Sequence, residues 1–241
     1  MVNKWLKIVQ CLAKHCLQLP SDCLFCCQPS GRDFSLCVEC EQKLPWLPTV
    51  CARCALPLDD HVNGCLCAKK PPSYDVLQGL FDYAWPINRI IGKWKYGGQL
   101  HFATMLAHFM VDRLTPRYPP DCIIPVPLHP QRLQQRGFNQ SIELAAYIAK
   151  HQKIPLNRWC CTRVINNSSQ SHLGAIGRVN NIHRNTFAID NTFKAKHVLI
   201  IEDIVTTGAT INALSVCLKH QGVRTVEIWC CCRTLKNAKS L

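Results

Sequence analysis

Two kinds of hydrophobic pattern alternate along this chain: short unbroken apolar runs, and longer stretches whose apolar residues return every three or four positions. The run Val198-Leu199-Ile200-Ile201 has no polar interruption, which suits a parallel strand covered on both faces rather than one with a wet side. It ends at Glu202 and Asp203, passes through Ile204 and Val205 into Thr206-Thr207-Gly208-Ala209-Thr210, and changes to helical spacing from 211 to 220. Residues 121–125 form a second such run, closed by a proline-shaped loop from Pro125 to Pro130, with a helix predicted over 141–150. Strands are further predicted at 76–83 and 225–232, and helices at 86–94 and 102–114. Strand, loop and helix in repeated succession predict an α/β fold with an open, mostly parallel sheet. Both loops then emerge at its carboxyl edge, where such sheets bind ligands.

The first 70 residues do not share this pattern. Of the 18 Cys, eleven precede residue 68. Cys23-x2-Cys26 and Cys37-x2-Cys40 bring four thiolates within reach of one tetrahedral Zn²⁺. Cys27 competes with Cys26 for the register, and the two-residue spacing favours Cys26. A second set, Cys51, Cys54, Cys65 and Cys67, opens with a good knuckle but closes with a single intervening residue. It reads either as a second metal site or as a degraded one whose Cys pack as small apolar residues. A structural zinc contributes about 10–16 kcal/mol of binding energy, more than so short a segment gains from a core of its own. Pro71 and Pro72 mark a boundary. A small Cys-rich zinc-binding module is therefore expected over 1–70 and a larger domain over 71–241. The seven later Cys, including Cys230-Cys231-Cys232, need no role beyond packing.

The net charge of +13 favours anionic partners such as a pyrophosphate, single-stranded nucleic acid or an acidic protein. No segment offers the run of about 18 apolar residues that a spanning helix needs, and residues 1–19 lack the apolar core and cleavage site of a signal peptide. A cytoplasmic protein is expected, where paired Cys bind metal more often than they form disulfides. The basic amphipathic pattern of residues 1–19 leaves open a peripheral contact at the inner face of the membrane.

Candidate chemistry collects in five places. Backbone N–H groups of the loop 206–210 and the positive end of the following helix make a site for a dianionic phosphate; Gly208 admits close approach and the Thr hydroxyls add donors. Glu202 and Asp203 are strand neighbours that point to opposite faces, so they serve one ligand only if the strand curls at its end. Arg132 and Arg136, four apart, present two forks of donors that fit a pyrophosphate, or else are solvated surface arginines. Lys93-Trp94-Lys95-Tyr96-Gly97-Gly98 either grips phosphate and stacks on bases or is a cationic helix end with a glycine stop. The polar stretch 163–181 reads as a lid or as a plain exposed loop.

Glu202-Asp203 followed by Thr206-Thr207-Gly208-Ala209-Thr210 resembles the phosphoribosyl-pyrophosphate (PRPP) loop of the type I phosphoribosyltransferases. Pro125-Val126-Pro127-Leu128-His129-Pro130, Arg132 and Arg136-Gly137-Phe138-Asn139-Gln140 are together similar to the ComF family of competence proteins and the related GntX-like proteins. The turn at Lys95 to Gly98 and the Cys knuckles belong to the same pattern, which runs from about Cys23 to Leu235; Cys65-x-Cys67 departs from it, since the family ends its last knuckle with C-x2-C. The resemblance implies a type I phosphoribosyltransferase-like sheet with Thr206, Thr207, Gly208, Ala209 and Thr210 on the 5′-phosphate. It implies ionised, catalytic Glu202 and Asp203 on the ribose hydroxyls, Arg132 and Arg136 on the pyrophosphate, and Mg²⁺ bridging oxygens of PRPP. A closing loop would carry Arg163, Gln170, Leu173, Arg178 and Asn181. In function it implies a protein needed for uptake of transforming single-stranded DNA into the cytosol. The partners would be PRPP or a related phosphorylated ligand, single-stranded DNA, and the uptake machinery at the inner face of the membrane. The alternative is an active phosphoribosyltransferase of nucleotide or carbon metabolism; no segment advertises an acceptor pocket, so whether catalysis occurs stays open.

Overall fold

The computed structural model describes residues 22–32, 34–58, 65–97, 101–165 and 186–235. The chain divides into two compact units, Met1–Leu44 and Pro45–Leu241. The division falls ahead of the proline-rich stretch near Pro71, and the second Cys set belongs with the sheet. The reason is packing: Ala55, next to Cys54, is fully buried in the same apolar cluster as Leu77, Val205, Ile228 and Cys230.

Among the described residues of the first unit there is one short helix, α1 (Val38–Gln42), whose N-cap is Cys37. In the second unit the strands are β1 (Val76–Asp82), β2 (Cys122–Pro125), β3 (Cys161–Arg163), β4 (Phe187–Ile189), β5 (His197–Val205) and β6 (Thr225–Arg233). Four of them form a parallel sheet in the order β1-β6-β5-β2, and β3 pairs antiparallel with β4. The register aligns Leu77, Ile228, Ile200 and Ile124 in one row across the sheet. All four are buried, as unbroken apolar runs in a doubly covered parallel sheet require.

The helices of this unit are α2 (Ile87–Gly97), α3 (His101–Arg113), α4 (Pro130–Arg136), α5 (Gln140–Gln152) and α6 (Ala209–His220). Ile87, Ile90, Ile91 and Trp94 recur at helical spacing and form the buried face of α2. The loop after β2 contains a helix of its own, α4, because its ends are well specified. The His129 ring accepts the Gln131 N–H, Pro130 occupies the first turn, and Gly137 stops the helix at φ 77°. Asn139 then caps α5 by accepting the Ser141 N–H at 3.0 Å, and its amide donates to Val126 O at 3.0 Å. The α5 helix therefore starts at a fixed point beside the end of β2. The positions of Gln170, Leu173, Arg178, Asn181 and Gly98 lie outside the described residues. No helix among the described residues is long and apolar enough to cross a membrane.

Candidate functional site

At the carboxyl edge of the sheet, β5 ends at Val205 and the chain turns through Thr206, Thr207 and Gly208 into α6. Gly208, the N-cap of α6, has φ 81°, a left-handed conformation that a side chain would strain, and offers no side-chain acceptor of its own. Thr207 Oγ1 accepts the Ala209 N–H at 3.3 Å. Among the described residues, no protein acceptor meets the backbone N–H of Thr207, Gly208, Thr210 or Ile211. The loop instead lines a cavity of about 40 Å³ together with Glu202. Unpaired N–H groups, hydroxyls and a helix dipole converging on a small hollow make an anion site.

Glu202 and Asp203 stand at its mouth. Strand alternation should separate them, yet the Glu202 carboxylate accepts the Asp203 backbone N–H at 3.0 Å and the two side chains interact directly. Ser141, at the start of α5, donates its hydroxyl to the same Glu202 oxygen at 3.1 Å. Lys95, from the last turn of α2, sets its ammonium 2.5 Å from Asp203 Oδ2. Burial pushes the Glu202 carboxyl well above the usual carboxylate range, and the neighbouring Asp203 charge pushes the same way. Burial is the largest influence on Asp203 and acts against its ionised form, but the Lys95 ammonium, the hydrogen bond with Glu202 and the Ile204 N–H together outweigh it and hold that carboxyl below its ordinary value. The ligand-free pair is thus one carboxylate and one group that holds its proton readily.

The arginines divide. Arg136 lies over the exposed ring of Tyr96, 5.5 Å from its centroid, and donates to Gln140 at 3.3 Å. Arg132 lies close enough to Arg163 on β3 to oppose its charge, while Glu202 favours it. Arg163 itself is half-buried and its guanidinium is held below its ordinary value, by burial first and by Arg132 second. Trp94 is fully buried and stacks with Phe138 at 6.4 Å, so of the aromatic pair in the 93–98 turn only Tyr96 faces solvent.

The eight knuckle Cys form two clusters, Cys23, Cys26, Cys37 and Cys40 in the first unit and Cys51, Cys54, Cys65 and Cys67 in the second. Within each, the four sulfurs lie within 4.8 Å of one another. The narrower spacing of Cys65-x-Cys67 is accommodated by a 3₁₀ turn at Leu66–Ala68. In the first cluster burial opposes ionisation of Cys23, but backbone N–H groups of Cys37, Cys26 and Phe25 draw it down to about 6, while Cys40 is driven up to about 12 by burial and its sulfur neighbours. The second cluster repeats this, with Cys51 at about 7 and Cys67 at about 11. One thiolate forms easily and opposes the rest, a conflict that a central divalent cation removes. Both four-cysteine clusters fit a structural metal such as zinc.

No protein-family model matches the chain. The DNA utilization protein YhgH of Salmonella typhimurium is 31% identical over 227 residues, covering 91% of this chain and 100% of that protein. The chain belongs to the ComF family. Competence protein F of Haemophilus influenzae is 29% identical over 204 residues (80% of this chain, 88% of that one), and competence protein ComFC of Bacillus subtilis is 24% identical over 200 residues (79% and 80%). A hypoxanthine phosphoribosyltransferase of Trypanosoma cruzi aligns over 53% of this chain and 60% of its own at 18% identity and a TM-score of 0.32, too weak a likeness to carry an argument. Much of the ComF string in this chain is scaffold: Pro130 and Gly137 bound α4, Phe138 packs on Trp94, and Asn139 fixes α5. Two polar residues at or behind the site carry no sequence signal of their own, whereas Lys95 opens the turn already singled out at 95–98. Ser141 is an ordinary helix-start serine. Arg233 sits at the end of a strand, where its buried contacts with Cys54, Val205 and Thr206 come from tertiary structure alone.

Proposed function

We propose that this ComF-family chain serves the uptake or use of single-stranded DNA and carries, at the carboxyl edge of its sheet, a site for PRPP or a related phosphorylated ribose. The observation that carries the reading is the set of unpartnered N–H groups of Thr207, Gly208, Thr210 and Ile211 beside the Glu202–Asp203 pair. In this assignment Thr206, Thr207, Gly208, Ala209 and Thr210 hold the 5′-phosphate. Glu202 and Asp203 accept from the ribose hydroxyls, with Ser141 and Lys95 orienting them. Arg132, aided by Arg163, takes the pyrophosphate, and Arg136 reaches it from the Tyr96 side. Mg²⁺, bound with PRPP, neutralises phosphate charge and suits an ion that prefers substrate oxygens and water to a protein cage. The DNA part rests on the names of the relatives and on the charge of +13, with exposed Tyr96 beside Arg136 as a stacking surface for a base. The cell compartment proposed is the cytoplasm.

The test is calorimetric titration with PRPP and Mg²⁺, run alongside Glu202→Gln/Asp203→Asn, together with deletion of the gene. Binding lost in the double variant and DNA uptake lost on deletion are expected. No binding by the unaltered protein would remove the ligand, and unchanged uptake would remove the role. A second reading, a working phosphoribosyltransferase, is favoured by the cations gathered where a leaving group would depart. A nucleophile would bond to carbon 1 of PRPP as its bond to the pyrophosphate oxygen breaks, and pyrophosphate would leave with the electron pair. Preorganised charge would supply most of the catalysis. Pyrophosphate release across a panel of bases and amines decides between the readings.

A further inference from the structure

Arg233 closes β6 with its side chain 4% exposed, and among the described residues no carboxylate pairs with it. Its guanidinium is satisfied instead by backbone carbonyls from two places. Nε–H donates to Cys54 O at 3.1 Å, and Nη1 donates to Val205 O at 3.0 Å and to Thr206 O. One planar, rigid fork thus spans from the second Cys knuckle to the last residue of β5 and the first residue of the anion loop. In a trans peptide the C=O and the following N–H point in opposite directions. By holding the carbonyls of Val205 and Thr206 inward, Arg233 therefore turns the N–H groups of Thr206 and Thr207 outward. Thr234 adds a second hold on Val205 O at 3.0 Å.

The knuckle is anchored on its own side as well. Ala55 is fully buried in the sheet core, Val50 packs against that core, and Ala52 O accepts the Leu77 N–H of β1 at 3.4 Å. Buried Tyr74, from the segment that follows the knuckle, places its hydroxyl 3.6 Å from the point where a side chain on Gly208 would begin. The segment is tied to α6 by the Ser73 N–H, which donates to Asn212 Oδ1 at 2.7 Å. A shift of Cys54 strands buried guanidinium N–H groups, which is costly, so the knuckle, Arg233 and the loop have reason to move together.

We propose that Arg233 is a positioning residue that couples the second four-cysteine cluster to the anion loop, so that metal held by Cys51, Cys54, Cys65 and Cys67 sets the loop's affinity for a phosphate ligand. The proposal rests on the reading of residues 206–210 as a phosphate site. The arms of the test are Arg233→Met, Cys65→Ser/Cys67→Ser and their combination. Each is assayed for zinc content, for Mg²⁺–PRPP affinity and for amide exchange at the hydrogen-bonded N–H groups that flank the loop, Asn212 on Gly208 O and Thr234 on Val205 O, with Ile123 and Ile200 as references. Arg233→Met should keep its zinc, lose about tenfold or more in affinity and exchange faster at Asn212 and Thr234 with the reference strands unchanged. The Cys double variant should lose the second metal and show the same losses, and the combination should add nothing further. Arg233→Lys keeps the charge but not the fork, and serves if the Met variant does not fold; a milder form of the same loss is expected. Wild-type affinity and exchange in Arg233→Met, or losses that multiply in the combination, overturn the coupling. If the unaltered protein binds no PRPP, the phosphate reading fails, and the exchange measurements alone decide whether Arg233 couples metal to loop.

Discussion

The two four-cysteine knuckles are one backbone built twice. In the first, the Cys23 N–H donates to Gln28 O at 2.7 Å, the Cys27 N–H donates to Cys23 O at 2.9 Å, and Asp22 pairs with Pro29. In the second, Cys51 donates to Leu56 O at 2.8 Å, Ala55 to Cys51 O at 2.8 Å, and Val50 pairs with Pro57. Each has a left-handed residue directly after its second Cys, Cys27 at φ 56° and Ala55 at φ 51°. Their surroundings differ. Among the described residues of the first unit, the buried apolar side chains are Cys23, Leu36 and Leu44 alone, whereas Ala55 sits in the apolar cluster of the sheet. The same four-thiolate chemistry is therefore a core in one place and a brace in the other. What a knuckle does is decided by the apolar surface beside it, not by its ligands.

The largest effect that would break this contrast is metal removal. Cys37→Ser should abolish amide protection across residues 22–44, because among the described residues only Cys23, Leu36 and Leu44 are buried apolar side chains that could replace a metal-binding energy of about 10–16 kcal/mol. Cys67→Ser should leave β5 and β6 protected and lower the Tm of the second unit by roughly 5–10 °C. Equal collapse of both units, read by hydrogen exchange, would show that the second knuckle is a core too.

An intermediate effect comes from pH. Zinc binding displaces thiol protons, so the first unit gains stability as pH rises. Glu202 contributes in the opposite sense. Its folded pKa is raised, so stability is lost as pH climbs from the ordinary carboxylate value of about 4.3 toward the raised one. Asp203, with a lowered folded pKa, contributes stability that is present above its ordinary value of about 3.9 and is lost as pH falls through the folded one. In urea denaturation from pH 4 to 8, Glu202→Gln should become more stable than the unaltered protein, by about 1–2 kcal/mol at the upper end, while its Mg²⁺–PRPP binding is lost. A difference independent of pH would show that Glu202 is an ordinary ionised carboxylate.

The smallest effect is the sharpest. Cys27→Gly relieves a left-handed strain at an exposed site and should stabilise the first unit by about 0.5–1 kcal/mol. Ala55→Gly gives the same relief but removes a buried methyl worth about 0.8 kcal/mol, so no net gain is expected. Equal gains in chemical denaturation would mean that the burial of Ala55 contributes nothing.

The sequence made the central strands and the anion loop readable because burial on both faces leaves an unbroken apolar run, as from Val198 to Ile201. The buried face of α2 was equally readable from Ile87, Ile90, Ile91 and Trp94, and that spacing removes Trp94 from any ligand surface. The pair β3–β4 left no such mark: three-residue strands with one or two covered positions carry no period. Cys65-x-Cys67 looked defective because spacing rules assume one turn type, while a 3₁₀ turn brings those sulfurs to the cluster as well. The approach of Glu202 to Asp203 against strand alternation, and the reach of Arg233 to three carbonyls, depend on contacts between distant segments.

The burial of the cysteines from Cys122 to Cys232, near-complete for all but half-buried Cys217, has a practical side. Burial lifts the thiol of Cys122 to about 11 and that of Cys160 to about 12, and raises Cys161, Cys217, Cys230 and Cys232 as well. Since alkylating reagents and oxidants attack the thiolate, these groups are silent bystanders in the folded protein. Among the described residues, reactive sulfur is confined to the two knuckles and exposed Cys27. Among the described cysteines, a thiol-counting reagent applied to the native protein thus reports on the two knuckles and Cys27, and an oxidant reaches these before it reaches the sheet.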